Sequence, residues 1–284
     1  MGGSPVRIVL RGAGDLATGV ALRLYRAGFR RLLLLERAAP LAVRRLVAFS
    51  EAVALGRQVV EGVAAVRVAS HEEAPAVWQQ GEIPVLIDPY AVSLTVFSPD
   101  ILVDAVMAKR NLGTMITAAP LVIALGPGFC AGVDAHRVVE TKRGHALGRV
   151  LARGEAQPNT HIPASVGGYT LERLLRAPAT GTFRTGRDIG DRVRAGETVG
   201  TVDGQAVTSA IDGVLRGLLR DATPVAQGLK LGDVDPRADA TACGLVSDKA
   251  LAIGGGVLEA IMERLNATLR DPCGKENPWP SANP

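Results

Sequence analysis

The stretch VRIVLRGAGDLATGVALRL, residues 6–24, decides the fold of the first half of the chain. Its apolar run Val6–Leu10 predicts a buried strand, and Leu16–Ala27 places apolar residues at helical spacing. Three small residues in this strand–turn–helix context match the G-x-G-x-x-G/A pattern: Gly12, Gly14 and Ala17. Such residues allow a tight turn, a close approach of backbone to a pyrophosphate, and tight packing of helix on strand. The pattern therefore predicts a Rossmann-like turn.

Two acidic residues affect which ligand this turn would bind. Glu36 closes the second apolar run, Leu32–Leu35, 22 residues after Gly14. At that place a carboxylate accepts hydrogen bonds from ribose hydroxyls, which favours NAD over NADP, but the neighbouring Arg37 leaves the choice between them open. Asp15 follows Gly14 directly, where its carboxylate repels a pyrophosphate, although it equally suits a helix N-cap. We predict a cofactor site of Gly12, Gly14, Asp15, Ala17 and Glu36 for NAD or another nucleotide.

The rest of the first half alternates short apolar runs with amphipathic stretches. Further strands are predicted at Val63–Val68, Val85–Ile87, Ile101–Val106 and Leu121–Leu125, and helices at Leu41–Leu55 and Glu72–Gln79. This alternation is typical of a mostly parallel sheet with right-handed crossovers. We therefore expect an α/β chain with a Rossmann-like domain over residues 1–150, followed by a junction at 151–175.

The second half carries an internal repeat. GTFRTGRDIGDRVRAGETVGTVD, residues 181–203, aligns without a gap on GVLRGLLRDATPVAQGLKLGDVD, residues 213–235, with seven of 23 positions identical. Two such units bury their apolar faces together. The pattern resembles biotinyl and lipoyl carrier domains, and it predicts a pseudosymmetric β barrel-sandwich module over residues 176–240.

Carrier domains present a modifiable lysine on the hairpin between their halves, and this chain has none there. The hairpin VDGQAVTSAIDG places Gly204 and Gln205 at its tip, and an amide cannot be acylated as an amine can. We therefore expect neither biotin nor lipoate on this module, and a docking or dimerisation role for it.

The C-terminal part predicts a helical segment over residues 241–265, capped by Ser247 or Asp248. Three consecutive glycines at 254–256 leave two alternatives. In the first, a new helix starts after the glycines and offers its N–H groups to an anion. In the second, the glycines permit close packing of the helix against its neighbours. Residues 266–284 are rich in proline and asparagine and predict a disordered tail.

The loops that follow later strands supply further candidate residues. In residues 124–150, Gly126 and Gly128 offer backbone amides and Lys142 and Arg143 offer charge, which favours anion recognition. Weak candidates for a general acid are Lys109, His136 and His145. Cys130, His136 and His145 are spaced by six and nine residues, which matches no compact metal motif, so no metal site is predicted. His161 is expected to be solvated.

Bulk composition excludes several classes of function. Net charge is +4, aromatic residues make up 4% of the chain, and no basic run is interleaved with aromatics, so nucleic acid is not an expected partner. No apolar run reaches the roughly 18 residues of a membrane span, and no secretory signal is recognisable. We therefore expect a cytoplasmic protein without a membrane partner. The sequence leaves open whether the protein forms a homo-oligomer.

Five runs carry a resemblance to a known family: GAGDLATGVALRL, MAKRNLGT, LVIALGPGFCAGVDAHRVVETKRGHALGRV, LKLGDVDPR and SDKALAIGGGVLEAI. Over about residues 5 to 265 the chain resembles the accessory proteins of the selenium-dependent molybdenum hydroxylase system of bacteria. The resemblance implies a factor that assists maturation of a molybdenum hydroxylase, or selenium insertion at its cofactor. It implies no catalytic residue. Two alternatives stay open, an NAD-dependent oxidoreductase and a non-enzymatic docking scaffold.

Overall fold

The computed structural model describes residues 4–160 and 162–270 of the 284-residue chain. Its α-helices are α1 (Asp15–Arg26), α2 (Ala52–Leu55), α3 (Ala74–Gln79), α4 (Leu94–Phe97) and α5 (Asp248–Arg270). Its first strands are β1 (Ser4–Arg11), β2 (Phe29–Glu36), β3 (Arg57–Val60), β4 (Val63–Val68), β5 (Ile83–Ile87), β6 (Ile101–Asp104), β7 (Leu121–Leu125), β8 (Cys130–Ala131), β9 (Arg137–Val139) and β10 (Val150–Leu151). The later strands are β11 (Gly154–Glu155), β12 (Leu174–Arg176), β13 (Gly181–Arg184), β14 (Arg192–Val193), β15 (Thr198–Val202), β16 (Gln205–Thr208), β17 (Gly213–Leu218), β18 (Thr223–Val225) and β19 (Lys230–Asp235).

The first half forms a nine-stranded sheet in the order β10-β9-β7-β6-β1-β2-β5-β4-β3. Its seven central strands are parallel, and β3 and β10 close the two edges in antiparallel pairing. Central strands such as Leu121–Leu125 are buried on both faces, which is why they read as continuous apolar runs. The prediction of an α/β chain with a large, mostly parallel sheet and a C-terminal helix is confirmed.

Some local predictions are wrong. Residues 41–55 form two short 3-10 turns before α2, not one helix. Their backbone bonds to distant parts of the chain: the Ser50 N–H donates to the Ala13 carbonyl at 2.8 Å. Tertiary hydrogen bonds thus override helical spacing. Strand β3 was not predicted, because three of its four residues are exposed or half-buried and carry no apolar run.

Helix α5 runs through Gly254–Gly256 without a break and lies beside α1. A Cβ on Gly19 would lie 2.6 Å from the Ala250 Cβ, and a Cβ on Gly254 would lie 2.9 Å from the Gly19 carbonyl oxygen. Of the two alternatives for the triple glycine, the structure thus shows close packing. The Ser247 hydroxyl accepts from the Ala250 N–H at 3.2 Å, so Ser247 caps the helix.

The direction of α5 places its N-terminus at the carboxyl edge of the sheet. Near its other end Glu263 pairs with Arg137, the first residue of β9, at 3.2 Å. The helix therefore runs antiparallel to β9. The start of α1, which follows β1, lies at the same edge, and Arg23 in its last turn donates to the Leu251 carbonyl at 3.3 Å. The two helices cover one face of the sheet side by side.

Residues 174–235, here called the β module, form two antiparallel four-stranded sheets. We call β12-β19-β17-β14 the junction sheet and β16-β15-β13-β18 the free sheet. An offset of 32 residues relates β13 to β17, β14 to β18 and β15 to β19, so the repeat predicts the strands correctly. Strand β14 of the first repeat pairs with β17 of the second, and β18 pairs with β13. Each sheet therefore contains one strand exchanged from the other repeat.

The outer face of the junction sheet packs against residues 43–51. The Leu218 N–H donates to the Val43 carbonyl at 2.8 Å, and Arg220 pairs with Glu51. Asp233 on this face is 2% exposed and pairs with Arg216 at 3.2 Å and Lys230 at 2.9 Å. Burial alone would raise the pKa of Asp233, but the two cations hold that pKa well below its usual value.

The predicted domain limits stay predictions. The junction at 151–175 contains β11, part of β12 and a 3-10 turn at Leu171–Arg173. Residues 266–270 continue α5, so the predicted disordered tail is wrong for them. Leu265, at the predicted end of the helical segment, packs against the core. His161 and residues 271–284 lie outside the described residues. No helix in the described ranges is long and apolar enough to cross a lipid bilayer.

Candidate functional site

The glycine turn lies at the carboxyl end of β1, between β2 and β6. The chain adds strands on the β2 side first and then crosses to the β6 side. The turn is therefore at the switch point where open α/β sheets bind ligands. Gly12, at φ +107°, donates its N–H to the Leu35 carbonyl at 2.7 Å, and a Cβ there would lie 3.0 Å from the Ala105 carbonyl oxygen. Both conformation and space require glycine at this position.

Helix α1 starts immediately after Gly14 and has no side-chain cap. Asp15 is its first helical residue, so the N-cap alternative for Asp15 is wrong. A Cβ on Gly14 would have nothing within 4 Å, whereas Ala17 is 1% exposed and packs into the core. The first N–H groups of α1 thus lack a side-chain acceptor and lie beside open space.

Glu36 has a different local role from the one expected. The Ala13 N–H donates to its Oε2 at 3.0 Å, and the Arg37 N–H donates to its Oε1 at 2.8 Å. The carboxylate therefore ties the end of β2 to the glycine turn. A ribose would have to share a group that already accepts two backbone hydrogen bonds.

A cluster of buried polar side chains fixes the conformation of the loop after β6. Arg11 and Asp104, at the ends of β1 and β6, form a buried ion pair at 3.4 Å. The Thr114 hydroxyl donates to Asp104 at 2.5 Å and accepts from Arg11 Nη1 at 2.9 Å. Asn111 closes the loop further, since its Oδ1 accepts from the Thr114 N–H at 2.8 Å and its Nδ2 donates to Asp134 at 3.2 Å. The loop is thereby fixed beside the glycine turn.

Lys109 lies in this loop with an exposed side chain and a left-handed backbone, φ +61°. Non-glycine residues rarely adopt that conformation, and where they do the surroundings impose it. A Cβ on Gly128 would lie 2.6 Å from the Arg110 Cα, so the loop after β7 packs directly on this segment. Lys109 is thus held at the carboxyl edge of the sheet.

The two glycines predicted to offer amides to an anion serve packing. Gly126 donates its N–H to the Val139 carbonyl at 2.9 Å, so this amide is already used, and the predicted role of Gly126 in anion binding stays a prediction. A Cβ on Gly126 would lie 2.5 Å from the Thr141 hydroxyl oxygen. Like Gly128, it permits two loops to approach closely at the edge.

Lys249, the second residue of α5, is the residue that sequence reasoning missed. It is half-buried, and its ammonium group forms no hydrogen bond or ion pair with any residue in ranges 4–160 and 162–270. Burial, and then the nearby charge of Arg143, lower its pKa, while Asp15 and Glu140 act in the opposite direction. The sequence signal was available in S-D-K at a predicted helix start, but only the packing of α5 on α1 places Lys249 near Asp15.

Asp15 lies within reach of a second cation from another part of the chain. Burial lowers the pKa of Arg44, and the carboxylates of Asp15 and Asp233 partly offset that effect. Arg44 donates to the Leu245 carbonyl at 2.9 Å and forms no ion pair with a described residue. Asp15 thus interacts electrostatically with two cations, Arg44 and Lys249. We call Gly12, Gly14, Asp15, Lys109 and Lys249 the carboxyl-edge site.

The remaining candidates do not meet at one point. His136 precedes β9, and its Nδ1 accepts from the Val122 N–H near the start of β7 at 3.0 Å, which places it at the amino edge. Burial lowers its pKa. His145 is exposed in the loop between β9 and β10, and Cys130 begins β8. Within the described part of the chain, no group of three or more His, Cys, Asp or Glu side chains is placed to hold a metal ion.

The hairpin of the β module turns at Asp203 and Gly204, with φ +46° and +82°. Gln205 is the first residue of β16 and not part of the turn, so its predicted place at the tip is corrected by one residue. The Asp203 carboxylate accepts from the Thr182 N–H at 2.9 Å, which anchors the turn to β13. The expectation that this module carries no biotin or lipoate stays a prediction.

Comparison with known proteins gives one strong relative. The chain is 48% identical over 255 residues to the uncharacterized protein YqeB of Escherichia coli strain K12, which covers 90% of this chain and 47% of YqeB. It thus spans about half the length of this curated relative. No family model matches the chain.

Solved structures give only distant similarity. TcdA (CsdL) is 12% identical with a TM-score of 0.32, over 92% of this chain and 88% of that one. An aspartoacylase family protein from Mesorhizobium loti is 14% identical with a TM-score of 0.27, over 81% and 85% of the two chains. At these TM-scores neither structure supports an inference about this chain.

Proposed function

We propose that the chain binds the phosphate end of a nucleotide-type ligand at the carboxyl-edge site. One observation carries the proposal: the uncapped start of α1, the open space before Gly14 and the unpartnered Lys249 lie together at the switch point of the sheet. A phosphate there accepts hydrogen bonds from the first N–H groups of α1 and pairs with Lys249. The strand order and the glycine turn support the finer description of this half as Rossmann-like.

The charges around Asp15 support the same proposal. A lone carboxylate beside a phosphate is repulsive. Arg44 and Lys249 both interact with Asp15, and neither has an ion-pair partner among the residues described. In this proposal the two cations offset the repulsion between Asp15 and the phosphate. Because Glu36 is already bonded to Ala13, NAD is one candidate among several nucleotides.

We further propose that ligand binding serves the maturation of a selenium-dependent molybdenum hydroxylase. The resemblance of the five sequence runs supports this client class, and the nucleotide part of a molybdenum cofactor then becomes a candidate ligand. The two sheets with exchanged strands support the finer description of the β module as a biotinyl/lipoyl-like barrel-sandwich without a carrier lysine. In this proposal the β module docks the client or a second subunit.

Calorimetry tests the ligand. The purified chain is titrated with NAD, FAD, and cytidine and guanosine nucleotides. We expect micromolar binding of at least one of them, loss of binding in Gly14→Trp, which fills the open space, and about tenfold weaker binding in Lys249→Met.

Gly186→Trp is the matched control, because a Cβ on Gly186 also has nothing within 4 Å but lies in the β module. It should bind as the wild type does. If no nucleotide binds more tightly than millimolar, or if both tryptophan variants bind equally well, the proposal is wrong.

The client is tested separately by co-precipitation of a purified molybdenum hydroxylase with the chain. Binding that survives Gly14→Trp separates docking from nucleotide binding. A hydroxylase that stays in the supernatant with the wild-type chain at micromolar concentration contradicts the client class.

A further inference from the structure

The two sheets of the β module are related by the repeat, yet residues 4–160 and 162–270 cover only the outer face of the junction sheet. On the junction sheet, a Cβ on Gly217 would lie 2.7 Å from Val43 Cγ1, so Val43 sits directly on this position. The Leu218 N–H donates to the Val43 carbonyl at 2.8 Å, and its carbonyl accepts from Arg45 Nε at 2.7 Å. An irregular segment, residues 43–45, is therefore bound across the end of β17.

The equivalent place on the free sheet is an open depression of about 490 Å³. The offset of 32 residues places Thr185 and Gly186 at the positions of Gly217 and Leu218, and both line the depression. The Gly186 N–H, which corresponds to the Leu218 N–H, donates to no residue that the structure describes. The free sheet thus presents the same backbone donor without a bound segment.

The two faces differ in the ion pair that one equivalent arginine forms. Arg216 of the junction sheet pairs with the buried Asp233. Its equivalent on the free sheet is Arg184, but the equivalent of Asp233 is Thr201. Among the residues described, Arg184 pairs with Asp221 alone, at 3.5 Å, and both side chains are more than half exposed. The carboxylate beside Arg184 is thus exposed, whereas the one beside Arg216 is buried. The Nε and Nη2 groups of Arg184 donate to no residue that the structure describes, so they can bind a second carboxylate.

We propose that this depression is a docking groove for an irregular segment of a partner protein, in which a small apolar residue is followed by a carboxylate. The apolar residue takes the place that Val43 has on the junction sheet. Its carbonyl accepts from the Gly186 N–H, and the carboxylate pairs with Arg184. This proposal is independent of nucleotide binding at the carboxyl-edge site.

The test uses two peptides based on residues 42–45, acetyl-Ala-Val-Glu-Glu-amide and acetyl-Ala-Val-Arg-Arg-amide, added to the full ¹⁵N-labelled chain. We expect the acidic peptide to shift the Thr185 and Gly186 amide resonances saturably and to bind about threefold more tightly than the basic one. Gly186→Trp should abolish these shifts. Arg184→Met, an exposed change that leaves the fold intact, should make the two peptides equal.

Gly14→Trp is the matched control and should bind the peptide like the wild type, which separates this groove from the nucleotide site. The proposal is overturned if the acidic peptide shifts no resonance of the depression, or if Gly186→Trp or Arg184→Met responds as the wild type does. Shifts of the same amides with protein concentration alone also overturn it, because the occupant is then a second copy of the chain.

Discussion

The junction sheet and the free sheet have the same strand order and come from the same repeat, yet one outer face is interior and the other is surface. Three pairs of equivalent residues account for the contrast. They are Asp233 and Thr201, Gly217 and Thr185, and Leu218 and Gly186. A buried ion network and a position without a side chain let residues 43–51 pack on the junction sheet. These few side-chain differences distinguish the outer face that packs against residues 43–51 from the one that is exposed.

The largest expected effect concerns the buried charge on the junction sheet. Asp233→Ala should lower the free energy of unfolding by about 3 kcal/mol, because it leaves Arg216 and Lys230 without their close carboxylate. Urea denaturation followed by circular dichroism measures the change. Asp221→Ala on the free sheet is the control, since its pair with Arg184 is largely exposed and should contribute much less to stability than the buried Asp233 network does. Equal losses in both variants would show that the two faces do not differ as described.

The same network predicts an acid dependence. The pKa of Asp233 in the folded chain lies below the usual value of about 3.9. The unfolded chain therefore takes up the proton first, and the stabilisation is complete above about pH 5 and lost as the pH falls below about 4. The difference in Tm between the wild type and Asp233→Ala should shrink between pH 6 and pH 3. A constant difference over that range would contradict the assignment of the low pKa to Asp233.

A smaller effect is expected where the chain approaches Gly217. In Gly217→Ala the added methyl would lie 2.7 Å from Val43 Cγ1 and 3.0 Å from the Val43 carbonyl oxygen, which costs about 1–3 kcal/mol of overpacking. Val43→Ala in the same chain should recover part of the loss. Gly186→Ala, with open space around it, should stay within about 0.5 kcal/mol of the wild type. If the double variant were no more stable than Gly217→Ala, the contact with Val43 would not be the cause.

The parts of the fold that could be predicted are those with a local signal. Apolar runs predicted the central strands because parallel strands are buried on both faces, and the repeat predicted the strands of the β module. Residues 41–55 could not be predicted, because their conformation depends on hydrogen bonds to Ala13 and Leu218, which lie far away in sequence. Lys249 and Arg44 were missed for the same reason, since only tertiary packing brings them near Asp15.

The glycines show where a motif is informative and where it is ambiguous. At Gly12 and Gly14 the pattern and its context predicted the turn, and the structure shows open space beside Gly14. At Gly126 the same residue type suggested a free amide, whereas the structure uses that amide in a hydrogen bond to Val139. A glycine indicates that a side chain is excluded or dispensable, and the three-dimensional neighbours decide which.

The exchange of β14 and β18 between the two repeats has a consequence for the origin of the β module. One repeat alone has no strand of its own to pair at the place that the other repeat fills. An ancestral polypeptide with a single unit would have closed this architecture only by swapping strands with a second copy of itself. Duplication of such a unit within one chain would supply both strands and leave the two equivalent faces free to diverge.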